Sequence, residues 1–359
     1  MKAWVLDHLG GTLQLEDAPI PEPRPGGVVV RVEASVLMSY LKTYVEGRLS
    51  IYSPPDGPFT PGGNAIGTVH AIGLGVYHLK AGQRVVVSSH VVASENAPEP
   101  AQFLLGITAG PAGKALQADW RDGTLAEYAH VPKSCVTPIE GLDTASAPQL
   151  SVLPRFAVPY GGLLRGRLAA GETIVVTGAT GAYGSAAVLL SLALGAARVI
   201  AAGRNRTVLE ALVRKGGPRV ATVALSGDAD ADAMALRAAG GGGAHMAFDI
   251  VGGAQDANAT LAALKSLRRG GRLVLMGSMA VPLPISYLEM MLNNLEIIGQ
   301  FMYPSDAFTR LIDLARGGLL DLRAIRVRSF PLEALPEAID VAATADGLEC
   351  VVVTPFERL

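Results

Sequence analysis

The stretch from Val175 to Arg206 most strongly limits what this chain can fold into. An apolar run ends in the glycine-rich segment 178–184, an alanine- and leucine-rich run follows, and a second apolar run ends at Gly203. This order predicts a strand, a tight turn, a helix over Tyr183–Leu194 and a second strand, which together place a pyrophosphate at a helix N-terminus. We therefore predict a dinucleotide-binding unit. The residues predicted to contact the cofactor are Thr180, Gly181, Ala182, Tyr183 and Gly184.

The residues after the second strand predict which dinucleotide is bound. Units specific for NAD usually carry an acidic residue at this point, where it binds the ribose hydroxyls, but here the position is Gly203. Arg204 and Arg206, with Asn205 between them, offer donors suited to a 2′-phosphate. The pattern favours NADP(H). The alternative is that both arginines are solvated residues at the start of a helix and that the site does not discriminate.

Composition limits the classes of partner. Of the 359 residues, 50% are hydrophobic and 17% charged, the net charge is −2, and no basic run stands out, so nucleic-acid binding is not expected. The most apolar stretch, 186–203, contains Arg198 and is interpreted as a buried helix and strand, not a membrane span. Two cysteines and the lack of a signal-peptide pattern predict a cytoplasmic protein.

The residue composition and the order of strand and helix patterns along the chain predict an α/β protein with two domains. Residues 1–156 are rich in proline, glycine and short valine-rich runs, which predicts a compact β-rich domain. Residues 157–302 alternate strand and helix patterns, which predicts a doubly wound parallel sheet whose last strand is Leu295–Phe301. Residues 303–359 are expected to fold back and complete the first domain.

Several motifs outside the nucleotide turn carry a resemblance that covers nearly the whole chain. The chain resembles the medium-chain dehydrogenase/reductase superfamily, which implies a GroES-like substrate domain, a Rossmann cofactor domain and an active site in the cleft between them. The motifs are Pro61-Gly62-Gly63-Asn64, Gly67-Thr68-Val69, the run 76–85, and Asp122-Gly123-Thr124-Leu125-Ala126-Glu127-Tyr128.

The chain departs from zinc-dependent members of that superfamily at the metal ligands. By alignment of the surrounding turns, their Cys, His-Glu pair and second Cys or Asp correspond to Met38, Gly63-Asn64 and Pro154. These residues do not supply the thiolate, imidazole or carboxylate ligands that Zn²⁺ prefers. The structural zinc lobe is also expected to be missing, because residues 91–117 contain no cysteine. We therefore expect no metal and a zinc-independent enzyme.

Three residues are predicted to act on the substrate. The resemblance places Tyr40 where zinc-dependent members begin a proton relay, Tyr52 where zinc-free members often carry a substrate-side tyrosine, and Asn64 near the lost metal. A phenol or amide there can donate a hydrogen bond to a substrate oxygen. Lys42 lies close enough in sequence to perturb Tyr40. Alternatively, the tyrosines simply pack their rings, Asn64 caps a turn and Lys42 is solvated.

Two further loops are predicted to face the nicotinamide, because ligands of such sheets bind at the carboxyl ends of the strands. They contain Gly277-Ser278 and Phe301-Met302. The last strand of the sheet would have an exposed edge, and relatives of this kind often join such edges, so we expect a homodimer.

Loss of zinc removes the Lewis acid that polarises a carbonyl oxygen, which favours 1,4-reduction of a conjugated carbonyl. We therefore predict a reductase of quinones, enones or alkenals, in agreement with the zinc-free branch of the superfamily. One alternative is a zinc-free alcohol dehydrogenase or ketone reductase with Tyr40 as proton donor. The other is a dinucleotide-binding protein without turnover.

Overall fold

A computed structural model describes residues 1–356. The first part of the chain forms short strands with few helices. The strands are β1 (Lys2–Leu6), β2 (Leu13–Asp17), β3 (Gly27–Val36), β4 (Ala65–Ile72), β5 (Arg84–Val87), β6 (His90–Val92), β7 (Gln102–Leu104), β8 (Thr108–Ala109), β9 (Tyr128–Pro132) and β10 (Val136–Pro138). The helices are α1 (Leu41–Val45), α2 (Lys114–Asp119), α3 (Ala147–Leu150) and α4 (Leu153–Arg165).

The second part alternates strands and helices, as the sequence predicts. Its elements are β11 (Thr173–Thr177), α5 (Ala182–Ala193), β12 (Arg198–Gly203), α6 (Arg206–Gly216), β13 (Val220–Ala224), α7 (Ala229–Ala239), β14 (Ala244–Asp249), α8 (Asn258–Lys265), β15 (Leu267–Leu275), α9 (Tyr287–Asn293) and β16 (Glu296–Gly299). The last elements are α10 (Ala307–Arg316), β17 (Arg326–Pro331), α11 (Leu335–Thr344) and β18 (Glu349–Thr354).

Six strands of the second part form one parallel sheet in the order β13-β12-β11-β14-β15-β16. The central strand β11 is fully apolar along Ile174–Val176 and is buried on both sides, as expected of a strand covered by helices. This is the predicted doubly wound α/β sheet. Because all six strands point the same way, the loops that follow them meet at one edge.

The end of the chain returns to the first part. Strand β18 pairs antiparallel with β3 and parallel with β17, so both belong to the sheet that contains β10, β5, β4, β3 and β9. This topology agrees with the expected return of the last segment. The domain boundaries at 156/157 and 302/303 stay predictions.

One apolar cluster contacts both the sheet of the first part and the parallel sheet, and so connects them. It extends from Val36 in β3 through Phe156 in α4 to Val176 in β11, and all three side chains are buried. Because α4 packs into this core, its first turn is held next to both the end of β3 and the beginning of α5. The core therefore fixes the cleft that lies between these elements.

Both ends of the last strand of the parallel sheet differ from the prediction. Strand β16 covers Glu296–Gly299, shorter than the predicted 295–301. After it the Gln300 side-chain amide donates to the carbonyls of Phe301 (3.0 Å) and Met302 (3.3 Å), and Met302 adopts a φ of +54°. The chain thus turns out of the sheet.

Within residues 1–356, each helix falls short of the length and apolarity needed to span a bilayer.

Candidate active site

The predicted nucleotide turn lies between β11 and α5 and is closely packed. A Cβ atom at Gly184 would lie 1.9 Å from the Gly178 carbonyl oxygen, and Gly178 has a φ of +73°, which favours glycine. Gly181 is the N-cap residue of α5, and no side chain caps this helix. The first amides of α5 are therefore free of side-chain caps, as an anion-binding helix start requires.

Packing as well as chemistry keeps residue 203 a glycine. A Cβ atom at Gly203 would lie 2.7 Å from the Thr180 Cγ2 atom, so an acidic side chain could be added only if the Thr180 side chain shifted. Arg204 and Arg206 are exposed, and neither pairs with a carboxylate in the described part of the chain. Asn205 has a structural task, because its side chain accepts a hydrogen bond from the Val208 amide (3.2 Å) and caps α6.

A small cleft brings together residues that are far apart in sequence. Its lining comes from the segment after β3, the residue before β4, and the first turns of α4 and α5. The lining residues are Val36, Leu37, Met38, Ser39, Tyr40, Asn64, Pro154, Arg155, Ala182 and Tyr183. Met38, Asn64 and Pro154, the three positions matched to metal ligands in the sequence, therefore meet beside the nucleotide turn.

The residues of this cleft do not fit a catalytic zinc ion. Met38 and Pro154 lack a suitable donor, and Asn64 uses its Oδ1 atom to accept a hydrogen bond from the Ser89 amide (2.9 Å). A Cβ atom at Gly63 would lie 2.5 Å from the Ser89 Cβ atom, so a histidine has no room there. Nowhere in residues 1–356 do three or more His, Cys, Asp or Glu side chains gather as a metal site.

Tyr40 and Tyr52 are brought together, with Tyr44 behind them. The Tyr40 and Tyr52 rings are 5.8 Å apart, and the Tyr44 and Tyr52 rings 5.7 Å apart. Burial raises the pKa of Tyr40 well above its usual value, and Tyr183 and Tyr52 add to the shift. The phenol is therefore neutral at physiological pH and able to donate a hydrogen bond. Of the two candidates, Tyr40 lines the cleft and Tyr52 supports it from the side.

Lys42 does not perturb Tyr40. Its ammonium group pairs with Asp340 at 2.7 Å on the surface, and the shift in the Tyr40 pKa comes from burial and from other tyrosines. The interpretation of Lys42 as a solvated residue is thus the better one.

The two loops predicted to face the nicotinamide lie at the carboxyl edge of the sheet but outside the cleft lining. Ser278 bridges to Gly252 in the loop after β14, and a Cβ atom at Gly277 would lie 2.3 Å from the Val251 carbonyl oxygen. Phe301 is 60% exposed, and its ring is 5.9 Å from that of His90. Their predicted contact with a nicotinamide stays a prediction.

Sequence reasoning missed two polar residues near the cleft. Arg155 is 7% exposed, and its Nη2 atom donates to the Glu349 carbonyl oxygen at 3.1 Å. Tyr303 is buried with its hydroxyl 3.0 Å from the Ser88 Oγ atom, and burial raises its pKa to about 12. The arginine gave a usable signal, because it is a charged residue directly after Pro154 in an otherwise apolar helix start.

Two family profiles match this chain. One, described as "Alcohol dehydrogenase GroES-like domain", matches residues 24–141, and one described as "Zinc-binding dehydrogenase" matches residues 182–317. The alcohol dehydrogenase of Moraxella sp. (strain TAE123) is 29% identical over 330 residues, covering 89% of each chain. The sorbitol dehydrogenase of Bacillus subtilis (strain 168) is 26% identical over 361 residues, covering 99% of this chain and 97% of that protein.

Solved structures agree on the fold. A thermostable alcohol dehydrogenase from Pyrobaculum aerophilum, described with bound cobalt and zinc, superimposes with a TM-score of 0.78 at 21% identity over 99% of both chains. The 2R,3R-butanediol dehydrogenase of Bacillus subtilis gives 0.81 at 20% identity, again over 99% of both chains. At these identities the likeness concerns the fold alone.

The two glycines of the turn are expected to respond differently to alanine. Gly184→Ala should lower the free energy of unfolding by about 2–3 kcal/mol, because the new methyl group overlaps the Gly178 carbonyl. Gly181→Ala should cost less than about 1 kcal/mol, because its φ of −86° suits alanine and the only close atom is 3.4 Å away. It should nevertheless weaken dinucleotide binding about tenfold by crowding the phosphates.

Urea denaturation and fluorescence titration with NADP⁺ measure the two effects. A Gly184→Ala protein as stable as wild type would mean that the turn is looser than the structure describes.

Proposed function

We propose that this chain, which belongs to the alcohol dehydrogenase-like family of medium-chain dehydrogenases and reductases, uses NADP(H) without zinc to reduce a conjugated carbonyl compound such as a quinone, an enone or an alkenal. One observation carries the proposal. Met38, Asn64 and Pro154 meet in the cleft beside Tyr40, so the positions matched to metal ligands hold a thioether, a neutral amide and a proline, and a neutral phenol lies next to them.

The cofactor would be held by the turn 178–184 and by the arginines after β12, and when bound it supplies a hydride. The protein's own part is to bind the acceptor oxygen. The Ser89 backbone amide donates a hydrogen bond to the Asn64 Oδ1 atom, which fixes the orientation of the Asn64 side chain. The two N–H groups of that side chain are then left to donate to the substrate. Tyr40 offers a neutral phenol in the same cleft, so it can donate a hydrogen bond to the substrate oxygen. Hydride transfer leaves a strongly basic enolate oxygen, which can then take the proton of this phenol although burial makes the phenol a weaker acid.

This donor set supports conjugated acceptors over saturated ketones. In a conjugated acceptor the developing negative charge is delocalised onto an oxygen away from the reduced carbon, and a few preorganised hydrogen bonds stabilise it. A saturated ketone concentrates that charge on one oxygen, for which relatives of other kinds use a metal ion. Asn64 and Tyr40 are suited to the first case.

Two other functions remain as rivals. A zinc-free alcohol or polyol dehydrogenase is favoured by the printed names of the relatives, such as the Bacillus subtilis sorbitol dehydrogenase. A dinucleotide-binding protein without turnover would bind NADPH but would not oxidise it with any of the acceptors. Product analysis separates all three.

The main test measures NADPH oxidation with quinones, enones, alkenals, saturated ketones and aldehydes, together with NADP⁺ reduction by alcohols and polyols. We expect turnover with the conjugated carbonyls and a reduced C=C bond or quinol as product. Tyr40→Phe should lower kcat about 10²-fold, because it removes the proton donor but keeps the ring. Tyr77→Phe serves as control, since Tyr77 is 91% exposed and outside the cleft.

Activity restricted to alcohols or saturated ketones would contradict the proposal and would favour a zinc-free alcohol or polyol dehydrogenase. Turnover unaffected by Tyr40→Phe would assign that residue to packing. Activity that chelators abolish and zinc restores would show that the reading of the cleft is wrong.

Arg204 and Arg206 support NADP(H) over NAD(H), because Arg204 directly follows Gly203 at the end of β12, Arg206 begins α6, and both are exposed. Arg204→Ala should raise the dissociation constant of NADPH about tenfold or more and leave that of NADH unchanged, because only NADPH carries the 2′-phosphate. Arg214→Ala is the matched control, because Arg214 is an exposed arginine near the end of α6. Equal losses for both cofactors would contradict the assignment.

A homodimer through the last strand of the parallel sheet is part of the proposal. Strand β16 is an edge strand, and the neighbouring helix α9 buries none of its residues. Exposed apolar side chains cluster there, namely Ile285, Tyr287, Leu288, Met291 and Leu292. Such an edge with an apolar flank is the kind of surface that a second copy covers.

Leu288→Glu is expected to convert the dimer into a monomer, because it places a charge within the apolar cluster. Light scattering after size exclusion gives the mass. Leu319→Glu is the control, since Leu319 is 63% exposed and lies outside this surface. A wild-type protein that elutes as a monomer would refute the dimer.

The proposed location is the cytoplasm. The support is that Cys135 and Cys350 are both buried and not joined in a disulfide.

A further inference from the structure

Tyr303 is a buried tyrosine that lies outside the cleft lining and contacts the segment after β5. It is 6% exposed, and its ring packs edge-on against the rings of His90 and Phe308, at centroid distances of 5.5 Å and 5.7 Å. Its hydroxyl lies 3.0 Å from the Ser88 Oγ atom. Tyr303 therefore ties the end of β5, in the first part of the chain, to the segment that follows the parallel sheet.

The direction of this hydrogen bond follows from the other contacts of Ser88. The Ser88 hydroxyl donates to the His90 carbonyl oxygen (3.2 Å) and accepts from the His90 amide (3.1 Å). Because a serine hydroxyl has one proton and two lone pairs, its remaining lone pair accepts from Tyr303. Burial raises the pKa of Tyr303 to about 12, although hydrogen bonding to Ser88 and Ser89 opposes the shift, so the donor keeps its proton at physiological pH.

The backbone of Tyr303 is held closely by helix α4. A Cβ atom at Gly161 would lie 2.1 Å from the Met302 carbonyl oxygen and 2.8 Å from the Tyr303 Cα atom, so only a glycine lets the two segments touch. Phe308, which packs on the Tyr303 ring, is 2% exposed. Close packing on these sides leaves the hydroxyl of Tyr303 with a well-defined position.

The turn that Tyr303 contacts also orients Asn64. The amide of Ser89, the residue after Ser88, donates to the Asn64 Oδ1 atom at 2.9 Å. The Ser89 carbonyl oxygen accepts from the Leu105 amide at 2.8 Å. Both serines are buried, at 6% and 5% exposure, so bulk water does not replace a lost hydrogen bond there. Loss of the contact with Tyr303 would therefore loosen the turn that holds Asn64.

We propose that Tyr303 is a positioning residue for the reduction, which acts through Ser88 and Ser89 to keep the Asn64 carboxamide aimed at the acceptor oxygen. The inference rests on the proposed function, in which Asn64 donates to that oxygen. Tyr303 itself does not touch the substrate. A donor to a developing oxyanion contributes most when it is oriented beforehand, so the Tyr303 hydroxyl should affect kcat more than KM.

Tyr303→Phe tests the proposal, because it removes the hydroxyl and keeps the ring. With a conjugated carbonyl as acceptor, kcat should fall about tenfold and KM should stay within twofold of wild type. Ser266→Ala is the control, since it also removes a buried hydroxyl, which donates to the Ala263 carbonyl oxygen at 2.7 Å. Ser266 directly precedes β15, at the edge of the parallel sheet opposite the cleft, so this control should leave both constants unchanged.

A double-mutant cycle with Asn64→Ala separates positioning from general support of the fold. If Tyr303 acts through Asn64, Tyr303→Phe should lower kcat less than twofold once residue 64 is alanine. An equal loss of kcat in both backgrounds would overturn the proposal, because the hydroxyl would then act independently of Asn64.

Amide hydrogen exchange tests the same link without a substrate. Tyr303→Phe should raise the exchange rate of the Ser89 amide at least about tenfold more than that of the Ile200 amide in the buried strand β12. Equal factors at both amides would assign Tyr303 to general stability, and an unchanged rate at Ser89 would show that its hydroxyl does not hold the turn. Either result overturns the proposal. Because no acceptor is present, a failure of enone reduction would contradict the proposed function alone.

Ser88→Ala covers the case in which Tyr303→Phe does not fold, because it removes the acceptor of the same hydrogen bond. It should produce the same fall in kcat and the same rise in exchange at Ser89, and where both variants fold their effects should not add. A Ser88→Ala protein with wild-type kcat and wild-type exchange at Ser89 would overturn the proposal.

Discussion

The packing of α4 into a core shared by both sheets is the constraint on which the site depends. Phe156 is fully buried in that core together with Val36 and Val176, so the first turn of α4 has a fixed position. Pro154 and Arg155 lie on this turn and face Met38, Asn64 and the start of α5. A cleft built this way is held in shape by side-chain packing.

Much of this arrangement could be predicted from the sequence, because its signals are local. The spacing of Gly178, Gly181 and Gly184 and the apolar runs on either side predict strand, turn and helix, and α5 begins within one residue of the prediction. The resemblance adds long-range information, since it matches Met38, Asn64 and Pro154 to one metal site, and these residues do meet in one cleft.

Other features depend on contacts that no local pattern encodes. Asn205 stays a predicted cofactor contact, and its side-chain oxygen also caps α6, a contact that the sequence pattern alone does not separate from cofactor binding. Arg155 stands out in the sequence as a charged residue in an apolar helix start, but its burial and its hydrogen bond to the Glu349 carbonyl oxygen depend on a distant segment of the chain. Gly277, Ser278, Phe301 and Met302 lie at the expected sheet edge, but none of them lines the cleft in the described part of the chain, so their contact with a nicotinamide stays a prediction.

The contact between Gly63 and Ser89 has an evolutionary consequence. With the Ser89 Cβ atom 2.5 Å from where a Cβ at position 63 would stand, the serine has to shrink or shift before any imidazole is accommodated. Any evolutionary path that introduces a histidine at position 63 therefore has to change residue 89 first or at the same time, so the effects of the two substitutions are expected to be non-additive.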